Sequence, residues 1–163
     1  MSKKFSVSYD IPADVETAYQ AISSEGWAEA KAKDLADGSK VVSRDVGSGD
    51  AVTLVVSRKL PDGIPGFLQK FLPADGRVTQ TDTWGAAAGG VRSGTWKADT
   101  PGSPVKVGGT MRLEPAGSGC TYVIEGEIKA SIPLIGGKAE DVAVGMTKKL
   151  TSSEADVLRG MVS

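Results

Sequence analysis

The sequence contains no histidine, and this absence removes more chemistry than any motif in it supplies. Histidine is the usual general base near neutral pH and the commonest metal ligand, so Ser-His-Asp and Cys-His sites and His-based zinc centres are excluded. What remains for catalysis is carboxylate, Tyr, Lys or Arg chemistry, or none. Cysteine is scarce as well: Cys120 stands alone, no intramolecular disulfide can form, and a reducing cytoplasm is the expected setting. No apolar run approaches the roughly 18 residues of a membrane span, and Lys3 and Lys4 run directly into a strand pattern rather than a signal segment. An excess of charge of one sign is also missing. With 19 basic and 20 acidic residues the net charge is −1, which gives no electrostatic reason to expect nucleic acid or an anionic membrane as partner. No cofactor or metal-ligand set is legible, and oligomeric state is not written in the sequence.

What is present reads as an antiparallel sheet with helices before and after it, in a chain whose 163 residues suit one domain spanning 1–163. Residues 4 to 10 alternate, with Phe5, Val7 and Tyr9 on one face and Ser6 and Ser8 on the other, as in a half-buried strand. Pro12 suits a first helical turn, and Val15, Ala18, Tyr19 and Ile22 repeat at helical spacing. A second short helix is predicted from Ser24 to Leu35, carrying Trp27, Ala30 and Leu35 inward. Two β-rich runs, Lys40 to Val46 and Asp50 to Lys59, flank Gly47, Ser48 and Gly49, expected to supply the positive φ values of a tight hairpin. These glycines do not make a phosphate cradle: no Walker lysine follows, and the sixth place of a dinucleotide fingerprint holds Val52. Four more strands fit residues 76 to 86, 90 to 98, 104 to 114 and 119 to 132, with Gly- and Pro-rich turns between them.

The stretch from Pro133 to Ser163 is predicted to be one long amphipathic helix. Ile135, Ala139, Val142, Met146, Leu150, Val157 and Met161 share a stripe, which requires burial against the apolar face of the sheet. In the last strand Tyr122, Ile124, Gly126, Ile128, Ala130 and Ile132 form the inner face, and Val105, Val107, Gly109, Met111 and Leu113 form another inner file. Glu125, Glu127 and Lys129 then fall on the solvent side, so the paired carboxylates are a solvated face. Between strands, Asp62 to Leu72 is strongly apolar, with Ile64, Phe67, Leu68, Phe71 and Leu72 on one side; it is either a lid over a pocket mouth or a plug on the core.

Parity also carries polar groups onto possible inner faces. If Val78 and Trp84 point inward, Gln80 and Asp82 follow; if Trp96 points inward, Arg92 follows, with Gly94 leaving room between. A carboxylate and a guanidinium on an apolar concave face must pair, hydrate or hold a ligand's polar head. Either Asp82 and Arg92 are such anchors, or the register differs and both lie on the outer surface.

The element order, together with the segments Ile64–Leu68, Val78–Trp84, Gly109–Pro115 and Gly126–Glu140, resembles the START-like (SRPBCC, helix-grip) superfamily, and within it a bacterial branch catalogued as a domain of unknown function. That superfamily includes plant pollen-allergen proteins, polyketide cyclases and lipid-transfer domains. The resemblance implies an α+β helix-grip fold: a curved antiparallel sheet of six or seven strands around a long C-terminal helix, with two short helices after strand one. It implies a cavity between sheet and helix for a hydrophobic small molecule (a lipid, sterol or polyketide), and no particular catalytic residue. Phe67, Phe71, Gln80, Asp82, Trp84, Arg92, Trp96, Met111, Tyr122, Met146 and Leu150 are the expected ligand-lining residues. Two other roles stay open: a cyclase- or hydratase-like enzyme using Asp82 and Arg92, and a protein-interaction module.

Overall fold

The computed structural model describes residues 2–33, 39–60, 63–73 and 75–163. Strand β1 (Lys3–Ile11) leads into helices α1 (Val15–Ile22) and α2 (Glu25–Lys33). Strands β2 (Lys40–Val46), β3 (Val52–Lys59), β4 (Arg77–Trp84), β5 (Arg92–Asp99), β6 (Val105–Ala116) and β7 (Gly119–Ala130) follow, and helix α3 (Gly136–Val162) ends the chain. All pairings are antiparallel in one sheet ordered β1-β7-β6-β5-β4-β3-β2, so hairpins join β2 through β7 and the first strand closes on the last.

Local chemistry sets the element ends. Asp14 caps α1 by accepting from the Thr17 amide at 2.7 Å, and Ser24 Oγ accepts from the Trp27 amide at 3.2 Å to start α2. The predicted inward Leu35 lies outside the described residues, as does Asp62. In the β2–β3 hairpin the positive φ values fall on Gly49 (67°) and Asp50 (60°), whereas Gly47, expected to share that task, is at −110°. Asp50 tolerates the left-handed region because its carbonyl is held by the Tyr19 hydroxyl at 2.5 Å. At the start of α3, buried Glu140 reaches back to accept from the Ala130 amide at 3.0 Å and ties the helix to the end of β7.

The sheet bends along a row that runs across four strands. Trp96 pairs with Gly109, Gly109 with Gly126 and Gly126 with Phe5. A Cβ on Gly126 would sit 2.6 Å from the Phe5 ring and 2.7 Å from the Trp96 ring, so Gly126 makes the space that those aromatics fill, with ring centroids 6.2 Å apart, while Gly109 allows the close approach of the β7 backbone. The inner face of this bend receives α3. Leu158 and Ala155 of the helix are fully buried with Ile128, Leu113 and Tyr122 of the sheet.

The apolar stripe predicted for α3 needs correction in its second half. Ala139 is buried and Val142 and Met146 face inward, but Leu150 is only half-buried and Met161 is exposed; the buried positions are Thr151, Glu154, Ala155 and Leu158. A straight helix repeats every 3.6 residues, so its inner line runs through 147, 151, 154 and 158, one position beyond the apolar line 146, 150 and 157. The core there is partly polar, which a search for apolar residues alone overlooks.

Candidate functional site

Two adjoining cavities lie between the sheet, α3 and the 64–72 segment. The larger, about 190 Å³, is apolar: Ile64, Leu68, Phe71 and Leu72 wall one side, Val78, Ala98, Val105 and Val107 come from the sheet, and Ala139, Val142, Ala143 and Met146 come from α3. The smaller, about 40 Å³, is polar, with Lys31, Asp82, Tyr122, Thr151 and Glu154 around it and Met111 and Ile124 behind. Gln80, Trp96 and Thr147 line both, so the apolar cavity and the polar one lie side by side and share these walls. A broader depression of about 620 Å³ lies over Gly108, Gly109 and Gly126 on the outer side of the bend; it is an open saddle among Lys4, Ser6, Glu125 and Glu127, and encloses nothing.

The polar end is built from charged residues at core positions. Val52, Leu54 and Val56 of β3 point inward, and the same parity carries Arg58 in. Lys31 follows Trp27 by one helical turn on α2, and Glu154 lies on the inner line of α3. Lys31 Nζ sits 2.5 Å from Asp82 Oδ2 and 3.7 Å from Glu154 Oε1. Arg58 Nη1 donates to Glu154 Oε1 at 3.1 Å and to Gln80 Oε1 at 2.6 Å, and Gln80 Nε2 donates to Asp82 Oδ1 at 3.1 Å. The Tyr9 hydroxyl and Thr151 Oγ1, 2.9 Å apart, close the end toward α3. Arg58 Nη2 is buried with no hydrogen-bond partner among the described residues. All four charges are at most 4 % exposed, so each depends on its counter-ion.

Tyr122 stands over this cluster. Burial first, and then the Glu154 and Asp82 carboxylates, push its hydroxyl well above the ordinary tyrosine value. The folded state therefore holds the phenol proton more tightly than the unfolded chain. This contribution is complete below the unfolded value of about 10 and is lost as pH rises through and beyond it.

The residues expected to line the pocket divide into four groups. Phe71 and Met146 face the apolar cavity; Asp82, Met111 and Tyr122 face the polar end; Gln80 and Trp96 face both. Arg92, Trp84, Phe67 and Leu150 lie elsewhere. Arg92 is buried, the inward one of the two alternatives, but it belongs to a separate pin. It makes two 3.1 Å bonds to the Glu16 carboxylate, donates to the carbonyls of Gly49 at 2.9 Å and Gly85 at 3.2 Å, and stacks 3.9 Å from the Tyr19 ring centre. It thus ties α1 to two hairpin turns, and the pairing of Asp82 with Arg92 in one cavity is corrected to Asp82 with Lys31. Trp84 packs between Tyr19 and Tyr122 in the core. Phe67 is 41 % exposed because residues 66–71 form a 3₁₀ turn, whose three-residue period aligns Leu68 with Phe71 and turns Phe67 outward. Lys31, Arg58, Glu154 and Thr151 were missed, although strand parity in β3 and helical spacing in α3 both marked charged residues at core positions.

A curved seven-stranded sheet around a long C-terminal helix, with two short helices after the first strand, is the helix-grip class. The chain belongs to the DUF2505 family, described as proteins of unknown function, whose profile matches residues 6–162. Uncharacterized protein Rv0481c of Mycobacterium tuberculosis is 27 % identical, covering 94 % of this chain and 93 % of its own length. The Zhui aromatase/cyclase of Streptomyces superposes with a TM-score of 0.66 at 9 % identity, over 99 % of this chain and 94 % of that one. The norcoclaurine synthase of Thalictrum flavum gives 0.63 at 14 %, over 99 % and 87 %. TTHA0849 of Thermus thermophilus gives 0.64 at 16 %, over 98 % and 97 %. At these identities the structural likeness concerns the fold. No described helix is long and apolar enough to cross a membrane.

Proposed function

We propose that this protein binds and carries a small hydrophobic molecule in the space between sheet and α3, the whole chain acting as one helix-grip domain. The observation that carries this reading is the apolar cavity of about 190 Å³ with a polar, charge-lined cavity directly beside it. Pockets with an apolar body and a few placed polar groups are the common form of small-molecule site, with volumes of roughly 300–1,000 Å³. This cavity is smaller, which favours a compact ligand over a sterol or a long lipid. Phe71, Gln80, Trp96 and Met146 would contact its body, and Asp82, Met111 and Tyr122 would lie at its polar end. Free Cys120 is buried, which suits a reducing compartment such as the cytoplasm.

A cyclase-like reaction in the same space is the second reading, motivated by the carboxylates at the polar end and by two solved neighbours named as a cyclase and a synthase. Asp82 has both oxygens engaged, by Lys31 and Gln80, which favours binding over proton abstraction. Of the exposed large apolar residues among the described ones, Val41, Val42 and Val46 lie on the edge strand β2 and Phe67, Leu134 and Met161 stand singly elsewhere, a small patch that gives less support to an interaction module than the enclosed cavity gives to binding.

Native mass spectrometry of freshly purified protein tests for a retained molecule, and titration with small ketones, alcohols and aromatics can be followed by the emission of Trp96, which lines both cavities. Dissociation constants below about 100 μM are expected. Ala143→Phe should fill the apolar cavity and weaken binding at least tenfold, with a stability change of about 1–3 kcal/mol. Failure of every compound to bind below that limit, with nothing retained, would sink the carrier reading.

A further inference from the structure

We infer that the polar end selects a neutral, oxygen-bearing head on the ligand, a ketone or alcohol, and rejects a carboxylate; this rests on the binding role proposed above. Three observations carry it. First, the pole is charge-balanced: the cations Lys31 and Arg58 face the anions Asp82 and Glu154, all buried. An added carboxylate would leave one negative charge uncompensated in this buried space beside two existing carboxylates, and buried net charge is strongly disfavoured. Second, a donor is free. Tyr122 is 3 % exposed, it lines the polar end, and its side chain makes no hydrogen bond among the described residues. Burial keeps it protonated, so it can donate to an acceptor oxygen while the neighbouring ammonium of Lys31, which also lines the space, offers a second N–H. Third, the end holds about 40 Å³, room for a terminal oxygen and its carbon but not for a ring.

The test compares 2-nonanone, 2-nonanol, nonanoate and nonane on the full-length protein and on Tyr122→Phe, by calorimetry and Trp emission. The ketone and alcohol should bind the unmodified protein at least tenfold more tightly than nonanoate. Tyr122→Phe should weaken the ketone about fivefold to tenfold, as expected for one lost hydrogen bond, and leave nonane unchanged, with thermal unfolding confirming that the variant folds. Nonanoate binding as tightly as the ketone would overturn the inference, and so would an equal effect of the variant on ketone and nonane; either leaves the carrier reading standing. No binding by any of the four would also overturn the inference, and the carrier reading would then stand or fall on the retained molecule and the wider titration.

Discussion

Glu154→Ala is expected to destabilise the protein by about 3–5 kcal/mol and to lower its melting temperature by roughly 10–15 °C. The carboxylate accepts from Arg58 at 3.1 Å and faces Lys31 at 3.7 Å, and all three side chains are buried. Removing it leaves two cations with one buried anion, Asp82, and one guanidinium nitrogen, Arg58 Nη2, already lacks a partner among the described residues. The cost arises from the uncompensated charge rather than from the lost contact. The double variant Lys31→Met, Asp82→Leu removes one charge of each sign and should therefore be much less destabilising than either single change. Chemical denaturation of Glu154→Ala, the two single variants and the double variant measures this, and a loss under about 1 kcal/mol for Glu154→Ala would show that the cluster is hydrated and its charges weakly coupled.

Gly109→Ala should destabilise by about 3 kcal/mol or more. Its Cβ would stand 2.0 Å from the Glu125 carbonyl oxygen and 2.6 Å from Gly126 Cα, and both are backbone atoms of the neighbouring strand. No rotamer can relieve that clash; the β6–β7 pairing must open or the bend must flatten, and a flatter sheet no longer wraps α3. Gly145→Ala provides the opposite case. It lies on the exposed side of α3 with nothing within 4 Å of an added Cβ, so the same substitution should stabilise by up to about 1 kcal/mol. Thermal melts of the two variants should move in opposite directions, and a stable Gly109→Ala would contradict the close approach at the bend.

The contrast between these glycines shows where the sequence was legible. Inner and outer faces of β5, β6 and β7 followed from two-residue alternation, because a strand has only two sides and one is packed. The same rule left Asp82 and Arg92 open between the inside and the outer surface, and both are found inside at 4 % exposure. It could not bring them together. Asp82 pairs across β5 with Trp96, whereas Arg92 sits at the far end of that strand opposite Leu113, and their partners Lys31 and Glu16 come from different helices. Which helix supplies a counter-ion is decided by how α1 and α2 lie across the sheet, and spacing within one segment carries no information about that.

Strand count, hairpin order, the terminal helix and the absence of imidazole chemistry were determined by the sequence alone, since they depend on local periodicity, turn residues and composition. The tertiary structure decided the rest: the four-charge cluster from α2, β3, β4 and α3, the free hydroxyl of Tyr122 above it, and the size of the cavity beside it. The physical reason is that a buried charge is acceptable only beside its partner, and those partners are separated by up to 123 positions between Lys31 and Glu154 along the chain, meeting only when the sheet bends around the helix.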